Sequence, residues 1–142
     1  MLYPPAALIL APISGYTGIP YRNSAIRHGC AFAFTEMIDD GSLVFGNKKT
    51  LRFLERADNE KWLGAQIVGS DTGALSKAAQ IISNYNFDAL DFNLGCPAPK
   101  VVKKGEGSAL SADYDRALKA FEALKKNSGM PVSAKIRILD DK

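Results

Sequence analysis

Short apolar segments alternate with longer amphipathic ones along this chain. The apolar segments are each predicted to form a β-strand and span residues 8–11, 31–35, 63–68, 89–92 and 131–136. The segments between them are predicted to be helical and cover residues 19–28, 47–56, 70–82 and 113–126. The third helix has the clearest period, because Leu75, Ala78, Ala79 and Ile82 recur every three or four positions.

This alternation of strands and helices predicts a parallel sheet with helices packed outside it. The strands are nearly continuous apolar runs, which is typical of strands that are covered on both faces. Two architectures fit, an open doubly wound sheet and a (β/α)8 barrel. A doubly wound nucleotide fold usually has glycines directly after its first strand. Residues 11–15 read Ala-Pro-Ile-Ser-Gly instead, without that spacing.

Distinctive residues fall at the C-terminal ends of several predicted strands, and this placement favours the barrel. They are Pro12, Glu36, Gln66, Asn93 and Lys135. A full barrel takes about 250 residues, whereas the chain has 142. We therefore predict an α/β fold of the (β/α)8 TIM-barrel type in which only the first five or so β/α units are present.

Composition excludes several classes of function. The net charge of +3 is too small to imply nucleic-acid binding by itself. Cys30 and Cys96 lie far apart and His28 is the single histidine, so we predict neither a metal site nor a Ser-His-Asp triad. Low cysteine content fits a reducing compartment, which predicts a cytoplasmic protein. The apolar start is interrupted by Pro12 and is too short for a signal peptide or membrane span.

Cys96 is the strongest candidate for chemistry. It lies between Gly95 and Pro97 in a predicted loop directly after a strand. Three cations follow it at positions 100, 103 and 104. Nearby cations favour the reactive thiolate, although from the residues alone an inert buried thiol remains an alternative. Cys30 has no such context and is predicted to pack in the core.

Five blocks of the sequence, taken in order, resemble motifs of the tRNA-dihydrouridine synthases. The blocks are Ala-Pro-Ile-Ser-Gly-Tyr-Thr-Gly-Ile-Pro-Tyr-Arg at 11–22, Thr-Glu-Met at 35–37, Gln-Ile-Val-Gly-Ser-Asp at 66–71, the run from Asp91 to Gly107 that contains Asn-Leu-Gly-Cys-Pro, and Lys-Ile-Arg at 135–137. Gly18 and Tyr21 depart from the family pattern, which has Asp and Phe there. Members of that family are FMN-dependent (β/α)8 barrels with a C-terminal helical domain.

The resemblance implies a role for each matching residue. Cys96 would be the general acid. The expected FMN contacts are Pro12, Ile13 and Ser14 against the isoalloxazine ring, Gln66 at its polar edge, Asn93, and Lys135 near the atoms that gain negative charge on reduction. The expected tRNA contacts are Arg137 to the substrate nucleotide and Lys100, Lys103 and Lys104 to phosphates. NADPH would be the reductant.

Blander interpretations of the same residues remain open. Gln66 and Asn93 are also suited to satisfy backbone groups at strand ends, and the three lysines to be simply solvated. Glu36 is suited to tune the site or to pair with a neighbouring base. His28 at a helix end fits a favourable interaction with the helix dipole. Lys135 ends a strand expected to be buried, where an unpaired cation is costly.

The resemblance also defines a domain. Residues 1–142 would be the N-terminal half of an FMN-binding catalytic barrel, without the C-terminal half of the barrel and without the helical tRNA-binding domain. We expect such a half-barrel to bind FMN poorly, to be inactive alone and to self-associate through uncovered strand edges. Two alternatives remain: an FMN barrel that acts on free pyrimidines, as in relatives of dihydroorotate dehydrogenase, and a non-catalytic self-associating module.

Overall fold

The structure, a computed structural model, describes residues 2–138. Five parallel strands form one sheet in the spatial order β1-β2-β3-β4-β5. The strands are β1 Ile9–Leu10, β2 Phe32–Asp39, β3 Leu63–Val68, β4 Ala89–Leu94 and β5 Val132–Ile136. The sheet curls as half of a barrel with helices around it, which confirms the predicted partial TIM barrel.

The helices connect successive strands, as a barrel requires. They are α1 Ile19–Arg27, α2 Asp40–Val44, α3 Lys48–Leu51, α4 Thr72–Ile82, α5 Pro99–Val102, α6 Ser108–Ser111 and α7 Tyr114–Asn127, with a 3-10 turn at Arg52–Leu54. Asp71 and Asp113 begin the two longest helices, because each side chain accepts a hydrogen bond from a backbone N–H of the first turn. Among residues 2–138, no helix has the length and apolar character needed to span a membrane.

The hydrophobic core lies between the outer face of the sheet and helices α4 and α7. Its fully buried members are Ile38, Leu63, Ala65, Ile67, Leu75, Ala78, Ala79, Ile82, Leu90, Phe92, Leu110, Ala120 and Leu124. The expectation that strands are covered on both faces holds for β3, all of whose residues are buried. It is wrong for β5, which is a sheet edge and is largely exposed. Lys135 is therefore an exposed cation and not a buried one.

Several local features differ from the predictions. β2 continues through residue 39, so Glu36 lies inside the strand and not at its end. A register shift between Phe34 and Met37 occurs at this point. The helix predicted over 47–56 is wrong in extent, because α3 is short and gives way to a 3-10 turn. Helix α2 was not predicted, since its five residues are too few to show a period.

Aromatic side chains close the half-barrel at the amino ends of the strands. Trp62 packs edge-on against Tyr3, Phe32 and Phe34, with ring centroids 5.2 to 5.5 Å apart. Gly64 leaves room for this cluster, because a Cβ there would lie 2.3 Å from Phe34 Cε1. The amino end of the half-barrel is thus filled by packed aromatic side chains, and a functional site is expected at the carboxyl ends of the strands.

Candidate active site at the carboxyl ends of the strands

Polar side chains cross the inner face of the sheet on three adjacent strands. Gln66 on β3 is paired in register with Asp91 on β4, and Asp91 is paired with Ser133 on β5. One step further along, Asn93 is paired with Lys135. Residues paired across parallel strands point to the same face, and alternate residues of one strand do so too. The pairing therefore gathers the predicted Gln66, Asn93 and Lys135 at one place.

The backbone after β4 fixes the direction of a hydrogen-bond chain. The backbone N–H groups of Gly95 and Cys96 donate to Asn93 Oδ1 over 3.1 and 2.9 Å. Because a backbone N–H can only donate, the other end of the Asn93 amide must be its NH2 group. That group donates to Gln66 Oε1 over 2.9 Å. The orientation of both amides thus follows from the fold.

The chain continues to a buried carboxylate. Gln66 Nε2 donates to Asp91 Oδ2 over 2.7 Å, and Ser133 Oγ donates to Asp91 Oδ1 over 2.6 Å. We call Asn93, Gln66, Asp91 and Ser133 the strand-end relay. It is continuous from the backbone of Cys96, just after β4, to the edge strand β5.

Asp91 was not among the predicted site residues. Its side chain is buried, and burial raises the pKa of Asp91 above its ordinary value. Hydrogen bonds from Ser133 and Gln66 and the charge of Lys135 act in the opposite direction. A single Asp within an otherwise apolar strand was the available signal, since such a carboxylate needs partners. Which residues serve as the partners of Asp91 depends on the register of the strands.

Gln66 is 1% exposed, and protein groups already use one N–H and one acceptor position of its amide. Satisfying neighbours is thus part of its role. One further N–H and one further lone pair remain available for a ligand. A hydrogen bond from Gln66 to a flavin stays a prediction.

An inner cavity of about 280 Å³ opens beside the relay. Its lining residues are Tyr3, Ile9, Ala11, Pro12, Phe34, Asp91, Ser133, Ala134 and Lys135. It has an apolar wall, the Asp91 carboxylate and one cation, Lys135. An apolar wall beside a cation suits a flat ring system that becomes anionic. Two of the predicted cofactor contacts, Pro12 and Lys135, line this cavity. Gln66 and Asn93 do not line it but are connected to it by hydrogen bonds through Asp91. Ile13, Ser14, Cys96 and Arg137 are not among its lining residues.

Cys96 lies in a closed loop, residues 95–107, which we call the Cys96 loop. Its thiol is free and partly buried. The carbonyl oxygen of Cys96 accepts a hydrogen bond from the N–H of Ser108 over 3.0 Å. Gly107 has a φ of +59°, and a Cβ on it would lie 2.6 Å from that carbonyl oxygen. The second glycine of Gly-Glu-Gly is therefore needed for a close backbone approach at Cys96.

The basic residues around the loop differ in their surroundings. Lys104 is paired with Asp39 and, like Lys100 and Ser14, lines a second cavity of about 320 Å³. Lys103 is exposed to solvent. Arg137 Nε donates to the carbonyl oxygen of Gly95 over 3.2 Å and so links the end of β5 to the Cys96 loop. Contacts of these residues with tRNA stay predictions.

Cys30, His28 and Glu36 each make a hydrogen bond to a backbone group nearby in the fold. The Cys30 thiol donates to the carbonyl oxygen of Phe32 over 3.1 Å. Cys30 is only partly buried and is not a member of the core, so the prediction that it packs there is wrong. His28 Nδ1 lies 2.8 Å from the carbonyl oxygen of Ser24 at the end of α1. Glu36 Oε2 accepts from the N–H of Gly15, which ties β2 to the loop after β1.

Comparison with known proteins identifies the family of this chain. The family model described as Dihydrouridine synthase matches residues 9–142. A probable tRNA-dihydrouridine synthase of Helicobacter pylori is 35% identical over 133 residues, which cover 92% of this chain and 40% of that protein. A tRNA-dihydrouridine synthase B of Xanthomonas campestris is 33% identical over 130 residues, covering 92% of this chain and 39% of that protein.

The chain thus spans about 40% of the length of the curated relatives that it matches. The matched region contains the five parallel strands, the strand-end relay and the Cys96 loop. The chain belongs to the dihydrouridine synthase family.

Proposed function

We propose that this chain is the N-terminal part of the catalytic barrel of a tRNA-dihydrouridine synthase. The reaction is the FMN-mediated reduction of the C5=C6 bond of specific uridines in tRNA, with NADPH as reductant, in the cytoplasm. The observation that carries the proposal is the strand-end relay, because it links the backbone of Cys96 to the wall of a cavity that contains Lys135.

The residues present fit the isoalloxazine ring of FMN. Pro12 gives an apolar surface, and Lys135 provides a cation in the same cavity. A fixed cation stabilises negative charge that develops on a bound ring. Gln66 and Asn93 have defined amide orientations, so any hydrogen bond that they make to a ligand is selective. Ile13 and Ser14 would contact the ring from the loop after β1. When bound, FMN supplies the hydride that reduces the uracil.

Cys96 is the proposed general acid. Reduction of C5=C6 adds a hydride at C6 and leaves C5 in need of a proton, which the thiol Sγ–H supplies. Thiols remain mostly protonated near neutral pH and still exchange protons readily. The hydrogen bonds that hold the backbone N–H and carbonyl of Cys96 position this side chain.

The substrate uridine must leave the tRNA fold before its ring can reach the cavity, as in other enzymes that modify bases. Arg137 lies beside the Cys96 loop and would contact the substrate nucleotide. Lys100 and Lys103 would meet phosphates, with Lys104 as a third cation once it leaves Asp39. The relatives are named for tRNA, which favours this substrate over a free pyrimidine.

The test is NADPH-dependent formation of dihydrouridine in an unmodified tRNA transcript with added FMN. The chain would be joined to the remaining barrel and C-terminal segment of the Helicobacter pylori relative. Cys96→Ala should keep flavin binding and lose turnover by at least about 100-fold, the range of a general acid. Cys30→Ala is the matched control and should keep turnover. Full turnover in Cys96→Ala would remove Cys96 from the mechanism.

Self-association is a second proposal for the chain alone. Both edges of the sheet carry exposed apolar side chains, with Leu8 77% and Ile136 65% exposed. Uncovered strand edges pair with other strands. Sedimentation velocity should show a concentration-dependent dimer or larger species, and a single monomeric species at high concentration would refute this.

A further inference from the structure

Three carboxylates, two from consecutive residues and one from a distant segment, meet beside the second cavity. Asp39 ends β2, Asp40 begins α2, and Glu106 lies in the Cys96 loop. One oxygen atom from each residue lies within 4.8 Å of the others. The sequence suggested no metal site, because Glu106 is separated from the two aspartates by more than sixty positions.

Two of these carboxylates have buried oxygens without a partner. Asp40 and Glu106 are each 5% exposed. Asp40 Oδ2 and Glu106 Oε2 have no hydrogen-bond partner in the described part of the chain. The backbone of Gly69 adjoins the first of these atoms, since a Cβ there would lie 2.1 Å from Asp40 Oδ2. Buried carboxylate oxygens of this kind need a donor, a proton or a cation.

Lys104 neutralises the cluster only in part. Its ammonium is paired with Asp39 and lies 3.8 Å from Glu106 Oε1. One positive charge thus faces three carboxylates, and the orphaned oxygens of Asp40 and Glu106 are not among its contacts. The side chain of Lys104 is 53% exposed, so it can leave for solvent. Burial raises the pKa of Asp40 to about 6 and also raises the pKa of Glu106, as expected where compensating charge is missing.

We propose that Asp39, Asp40 and Glu106 form a binding site for one hard divalent cation, such as Mg²⁺, which displaces the Lys104 ammonium. Carboxylate oxygens are the ligands that Mg²⁺ and Ca²⁺ prefer, and Mg²⁺ keeps several waters. The adjoining second cavity, which Ser14 and Ser42 also line, has room for those waters. The ion would join β2 and α2 to the Cys96 loop through Glu106.

This site is independent of the proposed reaction, since it needs neither flavin nor tRNA. The test uses the purified chain, stripped with EDTA, and Mn²⁺ alone as a paramagnetic probe titrated by EPR. We expect one site that Mg²⁺ or Ca²⁺ displaces. The isosteric variants Asp40→Asn and Glu106→Gln should each weaken Mn²⁺ binding at least tenfold. Lys104→Gln should tighten it, because the competing ammonium is gone.

Glu122→Gln is the matched control, because Glu122 is an exposed carboxylate on α7. It should leave Mn²⁺ binding unchanged. The proposal is overturned if the wild-type chain and Lys104→Gln both fail to bind Mn²⁺ at millimolar concentration. It is also overturned if binding survives both carboxylate variants, or if neither Mg²⁺ nor Ca²⁺ competes. Lys104→Gln keeps all three carboxylates, so it tests the site even if the carboxylate variants do not fold.

Discussion

Removal of the Asp91 carboxylate should destabilise the chain and loosen the Cys96 loop together. In Asp91→Ala, Gln66 Nε2 and Ser133 Oγ lose the acceptors that they now reach over 2.7 and 2.6 Å. Gln66 is 1% exposed, so its amide cannot turn to water. An unsatisfied buried donor costs about 1–3 kcal/mol, and the more accessible Ser133 adds about 1 kcal/mol. We expect a loss of roughly 2–4 kcal/mol.

Asp91→Asn separates hydrogen bonding from charge. Its Oδ1 can accept from Gln66, and its NH2 group can donate to Ser133 Oγ, so both contacts survive. The pKa of the Asp91 carboxyl is already raised, so its replacement by a neutral amide costs little. We expect the free energy of unfolding to fall by less than about 1 kcal/mol. Glu122→Ala on the exposed face of α7 is the control for loss of a carboxylate.

The assay is urea unfolding combined with amide hydrogen exchange of Gly95 and Cys96. Those two N–H groups bind Asn93, whose amide is held by Gln66 and hence by Asp91. Exchange at both should accelerate at least tenfold in Asp91→Ala and stay close to wild type in Asp91→Asn. If Asp91→Ala unfolds at the wild-type urea midpoint, or if the Cys96 amide keeps its protection, the relay does not support the loop.

Further perturbations test the loop, the acidic cluster and the cofactor. Gly107→Ala should lower the free energy of unfolding by about 1–3 kcal/mol because of the positive φ, and further because the new Cβ would clash with the carbonyl oxygen of Cys96. The same change should speed modification of the Cys96 thiol by a disulfide reagent. Gly129→Ala is the control, because Gly129 also has a positive φ, +62°, but has open space around it. If the two changes have equal effects, Gly107 is not needed for a close approach to Cys96. Asp40 has a raised pKa, so in metal-free buffer its contribution to stability is present below its ordinary value of 3.8 and is lost as pH rises through about 6. Asp40→Asn should therefore become progressively more stable than wild type as pH rises from 4 to 8, and parallel pH–stability curves would contradict this sign. Flavin titration of the chain alone should show weak binding, since barrel phosphate sites use loops after strands seven and eight; a purified chain with one flavin per protein would show that the first five units suffice.

The strands and long helices were predictable because their patterns are long and regular. β3 matches its predicted residues, and α4 and α7 begin directly after the aspartates that cap them. Short elements were not predictable in this way. α2 has five residues, and the register shift in β2 depends on how β3 packs beside it.

The grouping of three candidate site residues was predictable from the sequence, but the hydrogen bonds that connect them were not. Gln66, Asn93 and Lys135 were expected to meet because each lies in the carboxyl-terminal half of a strand, and parallel strands bring such positions together. The part played by Asp91 depends on the register between β3, β4 and β5, which one sequence does not reveal. The acidic cluster was missed for a similar reason, because Glu106 reaches the aspartates only through the path of the Cys96 loop.

The order of the strands in the sheet is also their order in the chain. Every strand after β1 therefore pairs with a strand already synthesised, and none has to be inserted between two others. Short-range pairing of this kind lowers the entropy lost on closing each connection and speeds folding. The half-barrel can consequently grow one unit at a time as it emerges from the ribosome, in the direction of translation.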